Sequence, residues 1–214
     1  MHLFVPSTGG RLEAILTEPG IFARQWVVLL CHPHPQYGGT MRTKAIFRSA
    51  RAFQALGMAT LQFNFRGVGQ SAGRFDGGRG EKEDVRAAID FLHHRYRGLK
   101  LALLGFSFGA WVGLPVGAED TRIEQLVGVG IPLRYYRFPL LASATKPKLI
   151  VQGSLDEFGG RDEITRWFQT LAEPKKLRIV EGASHLFETH IPELQQVILE
   201  YFKDRHGLPL VNPL

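Results

Sequence analysis

Three residue types that together can turn a hydroxyl into a nucleophile are spread along the second half of this chain. Ser107 sits in Gly105-Phe106-Ser107-Phe108-Gly109, directly after an apolar run; Asp156 follows Leu149-Ile150-Val151-Gln152; His185 follows Ile179-Val180. A serine hydroxyl is a poor nucleophile at neutral pH and needs a base, itself oriented by a third group. Acyl transfer to water through an acyl-serine is the chemistry such a set performs, with histidine moving the proton and the carboxylate orienting the imidazole. Each residue also has a structural reading. Asp156 suits a tight turn after Gly153-Ser154, with Glu157 beside it as an alternative acid, and His185 suits a helix cap near Glu188. Cys31, the single cysteine, ends an apolar run and reads as a small core residue.

These positions act together only if secondary structure gathers them. The run 101–106 has strand length and Ala110-Trp111-Val112-Gly113 reads as a helix start, which places Ser107 on a sharp strand-to-helix turn. Glycines at 105 and 109 let that helix pass close to the strand. Further strands are expected at 26–31, 59–65, 126–131, 148–152 and 176–180, with helices at about 43–56, 83–95, 163–171 and 192–204. Residues 4–17 read as a hairpin around Pro6-Ser7-Thr8-Gly9-Gly10, and Pro115 predicts a short or kinked helix after Ser107. Strands alternating with helices imply an α/β fold: a mostly parallel twisted sheet of about eight strands, with an N-terminal hairpin and helices on both faces. Parallel strands share one carboxyl edge, where Ser107, Asp156 and His185 would meet.

Two loops invite rival chemistry. Residues 66–80 are long and glycine-rich, and Gly67-x-Gly69-x-x-Ala72 formally matches a dinucleotide fingerprint. No helix opens at Gly69, so the stretch reads better as a turn that positions Arg66 against acidic groups. The other loop, His32-Pro33-His34-Pro35, offers a His-x-His pair of the kind that holds zinc or iron, but a third ligand is missing once Asp156 and His185 are engaged elsewhere. Because proline has no N–H, the backbone donors of this loop are His34, Gln36 and Tyr37.

Composition narrows the classes. At 214 residues and 44% hydrophobic, the chain suits one domain over 1–214, with 207–214 as an apolar, proline-broken tail. No apolar run approaches the ~18 residues of a membrane span. The start of the chain lacks a secretory pattern, and one cysteine fits a reducing compartment, so a cytoplasmic location is expected. The net charge of +6 raises a nucleic-acid reading, but the arginines are scattered, which favours a solvated basic surface.

Taken together, the chain resembles the α/β-hydrolase superfamily over nearly its whole length, in the chain order Ser, Asp, His. It is especially similar to small bacterial members carrying His-Pro-His-Pro-x-x-Gly-Gly-x-Met, here residues 32–41, and Asn-Phe-Arg-Gly-x-Gly-x-Ser, here residues 64–71. The resemblance implies Ser107, Asp156 and His185 as catalytic residues and an oxyanion hole from the backbone N–H groups of Phe108 and His34. It implies a small-molecule acyl substrate and water as partners, with no cofactor and no metal. The stretch between Ile131 and Lys148 is too short for a cap domain, so the site is expected to be open, with Tyr37, Tyr135, Tyr136 and Phe158 lining it. The expected activity is that of a serine hydrolase of small esters, thioesters or lactones, carboxylesterase-like. A peptidase, a dienelactone hydrolase-like enzyme and a non-catalytic binding or scaffold protein are the alternatives.

Overall fold

The computed structural model describes residues 1–20 and 25–211. Its centre is one sheet of strands His2–Ser7 (β1), Gly10–Thr17 (β2), Trp26–Cys31 (β3), Ala59–Phe63 (β4), Lys100–Phe106 (β5), Ile123–Val129 (β6), Lys148–Gly153 (β7) and Lys175–Val180 (β8), in the order β1-β2-β4-β3-β5-β6-β7-β8. β1 and β2 form the antiparallel hairpin at one edge, and β2 joins β4 antiparallel; all other neighbours run parallel. Helices Lys44–Ala55 (α1), Arg79–Arg95 (α2), Phe108–Glu119 (α3), Pro139–Ser143 (α4), Arg161–Gln169 (α5) and Ile191–His206 (α6) fill the crossovers and the C-terminal end.

The central strand β3 is buried throughout, and its residues alternate between two cores because successive side chains of a strand point to opposite faces. Val27, Leu29 and Cys31 face the core built with α2 and α3, including Val85, Ile89, Val112 and Val116. Val28 and Leu30 face the core built with α1 and α6, including Ile46, Phe53, Ile198 and Phe202. The tail is held to the body through buried Leu208 and the Val211 N–H, which donates to Ala55 O at 2.9 Å; residues 212–214 of the expected tail lie outside the described residues.

Several expected boundaries moved. α2 opens at Arg79 rather than 83, because the buried Glu81 carboxylate accepts the N–H groups of Asp76 and Gly78 and holds the first turn. β6 spans 123–129 rather than 126–131: Gly130 turns left-handed at φ +56°, and Ile131 donates its N–H to the Gln152 side chain at 2.7 Å instead of to a strand. α3 is neither short nor ended by Pro115; it runs twelve residues, since a single proline late in a buried helix removes only one i→i−4 hydrogen bond.

Close approach decides the turn between β5 and α3. A Cβ at Gly109 would lie 2.2 Å from Cys31 O, and one at Gly105 would lie 2.5 Å from Ala110 Cα. Both contacts are with backbone, so no side-chain rearrangement could relieve them.

The loops after β3 and β4 are tied by buried polar groups. His32 is fully buried; its Nδ1 donates to Pro33 O at 2.6 Å and its Nε2 accepts the Phe65 N–H at 3.0 Å. Both ring nitrogens are therefore occupied within the protein, and burial lowers the imidazole pKa to about 4. Asn64 Oδ1 accepts the Met41 N–H at 2.8 Å, while its Nδ2 donates to Glu13 Oε2, which also accepts Gln70 N–H. Burial pushes the Glu13 carboxyl up, but donors from Gln70, Asn64 and His2 outweigh it and hold it below its ordinary value. Arg66 grips the buried Asp84 carboxylate through Nε at 3.0 Å and Nη2 at 2.8 Å, the acidic pairing expected for it. In the same loop Gly67 N–H turns back to Ala72 O, and the helix begins only at Arg79, so Gly67-x-Gly69-x-x-Ala72 is a turn rather than a phosphate cradle.

Gly109→Ala is expected to destabilise the fold by about 2–3 kcal/mol, the scale of forced overpacking, read as a lowered denaturant midpoint; an unchanged midpoint would contradict the backbone contact. His32 gives a pH signature. Its folded pKa of about 4 lies below the ordinary 6.5, so the unfolded chain binds the extra proton between those values. Its contribution is complete above pH ~6.5 and is lost as the pH falls towards ~4, amounting to about 2 kcal/mol between pH 7 and pH 5. Urea unfolding at both pH values should show that extra loss in the parent chain and not in His32→Gln, where His206 is retained as a common background.

Candidate active site

Ser107 stands at the carboxyl end of β5 with φ 55° and ψ −117°, a conformation that L-residues rarely adopt and that lifts its side chain off the sheet. The hydroxyl hydrogen-bonds His185 Nε2 at 2.8 Å, and His185 Nδ1 lies 2.9 Å from Asp156 Oδ2. A carboxylate only accepts, so an ionised Asp156 fixes the proton on Nδ1 and leaves Nε2 as acceptor for the serine hydroxyl. The three residues thus meet at one sheet edge, as expected.

Each member is itself held. Asp156 follows β7 and is buried; Gln152 Nε2 donates to its Oδ2 at 2.7 Å and Phe158 N–H to its Oδ1 at 2.8 Å. Glu157, the alternative acid, is occupied otherwise: its Oε2 accepts the His185 backbone N–H at 3.2 Å. The imidazole of His185 lies between Phe106 and Phe158, with ring centroids 5.5 and 4.5 Å away. Aromatic walls on both sides leave the ring little freedom to leave the line between Ser107 and Asp156.

At the start of α3 and in the loop after β3, two backbone N–H groups have no hydrogen-bond partner among the described residues. One belongs to Phe108, the first residue of α3, and the other to His34. The His34 ring packs on Phe108 at 4.8 Å, which sets the loop after β3 against the helix N-terminus. That loop is a 3-10 turn, Pro35–Tyr37, whose entry is capped by His34 Nδ1 accepting Gln36 N–H at 3.2 Å; Tyr37 N–H donates to His34 O. Of the three loop donors, Gln36 and Tyr37 are therefore already engaged. Free donors at a helix N-terminus suit a developing oxyanion.

The expected lining residues divide. Phe158 touches His185 directly, and Tyr136 reaches Phe108 at 6.4 Å and stacks on Trp111. Tyr37 and Tyr135 stand further out, 86% and 67% exposed, in contact with His34 and Phe158 respectively. Sequence reasoning missed Trp111, Phe75, Gln152 and Asn64. Trp111 was within reach, since it lies one helical turn after Ser107, and Gln152 closes the strand that delivers Asp156. Cys31 sits beneath α3, fully buried, and burial pushes its thiol up, so it stays protonated. The segment between Ile131 and Lys148 holds only the five-residue helix α4, and none of the described residues forms a lid over this edge. No described helix is long and apolar enough to cross a membrane.

Known proteins agree with this architecture. A family model described as an alpha/beta hydrolase domain matches residues 24–196. An alpha-beta serine hydrolase homologue from Coxiella burnetii is 35% identical, covering 94% of this chain and 96% of its own, with a TM-score of 0.87. A protein from Xanthomonas campestris, described as a member of the a/b serine hydrolases without lid, is 31% identical, covers 100% of this chain and 96% of its own, and has a TM-score of 0.88. An uncharacterized protein of Rickettsia prowazekii is 32% identical over 184 residues, 82% of this chain and 77% of its own length. The chain belongs to the alpha/beta hydrolase family.

Proposed function

We propose that this protein is a serine hydrolase that cleaves small esters, thioesters or lactones through an acyl-serine intermediate, in the manner of a carboxylesterase. The observation that carries the reading is the continuous hydrogen-bonded line from Ser107 Oγ through His185 to Asp156, seated on a left-handed turn at a helix N-terminus. His185 takes the hydroxyl proton as Ser107 attacks the carbonyl carbon, and it later returns that proton to the leaving group. Water then attacks the acyl-serine with His185 again as base, releasing the acid and restoring Ser107. Asp156 holds the imidazole in the productive tautomer and stabilises its positive charge. The N–H groups of Phe108 and His34 donate to the oxygen that becomes negative in the tetrahedral intermediate.

The open edge, with only the five-residue α4 between Ile131 and Lys148, favours short acyl groups over long buried chains. A non-catalytic binding role is disfavoured by the arrangement itself. A binding module has no use for a strained serine, a histidine held between aromatic rings and a buried, fully engaged carboxylate in one line.

Ser107→Ala and His185→Ala are each expected to lower kcat for a nitrophenyl acetate by 10⁴-fold or more, and Asp156→Asn by about 10³- to 10⁴-fold. Combining Ser107→Ala with His185→Ala should cost no more than either alone, because the residues act as one unit. A fluorophosphonate should label Ser107 alone. Near-normal turnover by Ser107→Ala, or no labelling of the folded parent chain, would overturn the assignment. Nitrophenyl esters of graded length should show kcat/KM falling as the acyl chain lengthens.

A further inference from the structure

On α3, one turn beyond Ser107, lies a cavity of about 400 Å³ lined by Lys82, Trp111, Pro115, Tyr135, Tyr136 and Arg137 among others. Its size falls within the roughly 300–1,000 Å³ of small-molecule sites. The Trp111 and Tyr136 rings stack with centroids 4.2 Å apart and planes within 15°, and Trp111 meets Phe108 at 5.7 Å, which joins this wall to the oxyanion corner. Two cations stand in the lining. Lys82 Nζ lies 5.7 Å from the centre of the Trp111 ring, and the Arg137 guanidinium donates to Leu133 O. Neither has a carboxylate partner among the described residues, and no carboxylate lines the cavity.

The contrast with the neighbouring surface is informative. A groove of about 750 Å³ around Arg134, Ser154, Arg161 and Glu181 also carries cations, but there Arg134 pairs with Glu163 and Arg161 with Glu181. That groove brings its own carboxylates, Asp162, Glu163 and Glu181, to its cations. The cavity one turn beyond Ser107 holds Lys82 over the Trp111 ring and Arg137 in its lining, both without a carboxylate, a combination that a neutral aliphatic acyl group would not use.

We propose that this cavity is a substrate subsite for an aromatic group bearing a carboxylate, so that the esters cleaved at Ser107 carry an anionic aromatic moiety. The inference rests on Ser107 being the nucleophile and adds the class of molecule it acts on. A flat ring gains apolar contact and offset or edge-on packing against Trp111 and Tyr136. Its carboxylate accepts charge-assisted hydrogen bonds from Lys82 and Arg137, which are stronger than neutral ones.

Two measurements test this. In Ser107→Ala, the fluorescence of Trp111 is titrated with benzoate and with its neutral isostere benzamide; Ser107→Ala/Trp111→Phe identifies the part of the signal that belongs to Trp111 among the three tryptophans. In the parent chain, kcat/KM is compared for 4-acetoxybenzoate and 4-acetoxybenzamide. The expected results are at least tenfold tighter binding of benzoate than benzamide and at least tenfold preference for the anionic ester. Both should collapse towards unity in Lys82→Gln/Arg137→Gln and persist in Arg86→Gln, whose exposed guanidinium pairs with Glu83 on the outer side of α2. Equal response to benzoate and benzamide, or full discrimination in the double charge variant, overturns the subsite. Loss of all ester turnover in the parent chain with the Trp111 response intact overturns the Ser107 reading instead, and so separates the two.

Discussion

Everything at the active edge depends on how closely α3 can approach the sheet. Ser107 is held at φ 55°, a backbone state that costs on the order of 1–3 kcal/mol for a residue with a side chain. The turn persists because contacts on both sides over-determine it. Ser107 N–H donates to Val129 O, Ala110 and Trp111 donate back to Ser107 O, and the bare Cα of Gly109 sits against Cys31 O. Were α3 an ångström further out, the serine hydroxyl would leave the 2.8 Å reach of His185 Nε2. The strain is therefore inseparable from the geometry that makes the hydroxyl useful.

The second requirement is that flexible loops behave as rigid ones. Sheet edges end in loops by necessity, and loops are the least constrained part of a fold. Here the loop after β3 and the loop after β4 are fastened to each other, to β2 and to α2 by side chains that reach backbone groups: His32 to Phe65, Asn64 to Met41, Glu13 to Gln70, Asp84 to Arg66. These groups are buried, so each bond replaces a desolvation penalty that an unpaired partner would impose. Their chemical role is indirect. They hold the N–H of His34 in one place, and none of them touches Ser107, Asp156 or His185.

This division explains what could be read from the chain and what could not. Apolar runs such as 26–31 and 101–106 announced buried strands, and the glycines around Ser107 announced the turn, because local sequence alone dictates those features. The meeting of Ser107, Asp156 and His185 followed from parallel strands sharing a carboxyl edge. Features that depend on partners far along the chain stayed hidden. The start of α2 was placed too late because Gly78 and Gly80 are poor helix formers and the signal that overrides them is the buried Glu81 carboxylate. Gln152 looked like the last residue of a strand, yet its amide organises Ile131, Asp156 and Gly159 at once. The resemblance pointed to His34 as a donor, but only the engagement of the Gln36 and Tyr37 N–H groups leaves it as the free one in that loop.

Without a lid, recognition must come from surfaces that already exist before substrate arrives. Trp111 is suited to that role by its place in the helix: four residues after Ser107, it stands about 6 Å further along the same rigid axis. Its ring is fixed from three sides, by Tyr136 in a stack, by Phe108, and by the chain at Gly78, where an added Cβ would lie 2.4 Å from the indole. The spacing between the nucleophile and this aromatic wall is thus set by helical rise rather than by loop closure. Such preorganisation lowers the ordering cost of binding and keeps the reacting carbonyl at a fixed offset from whatever the wall holds. A site built this way selects among substrates by the distance between their ester and their ring, and charge at Lys82 and Arg137 then decides which rings are retained.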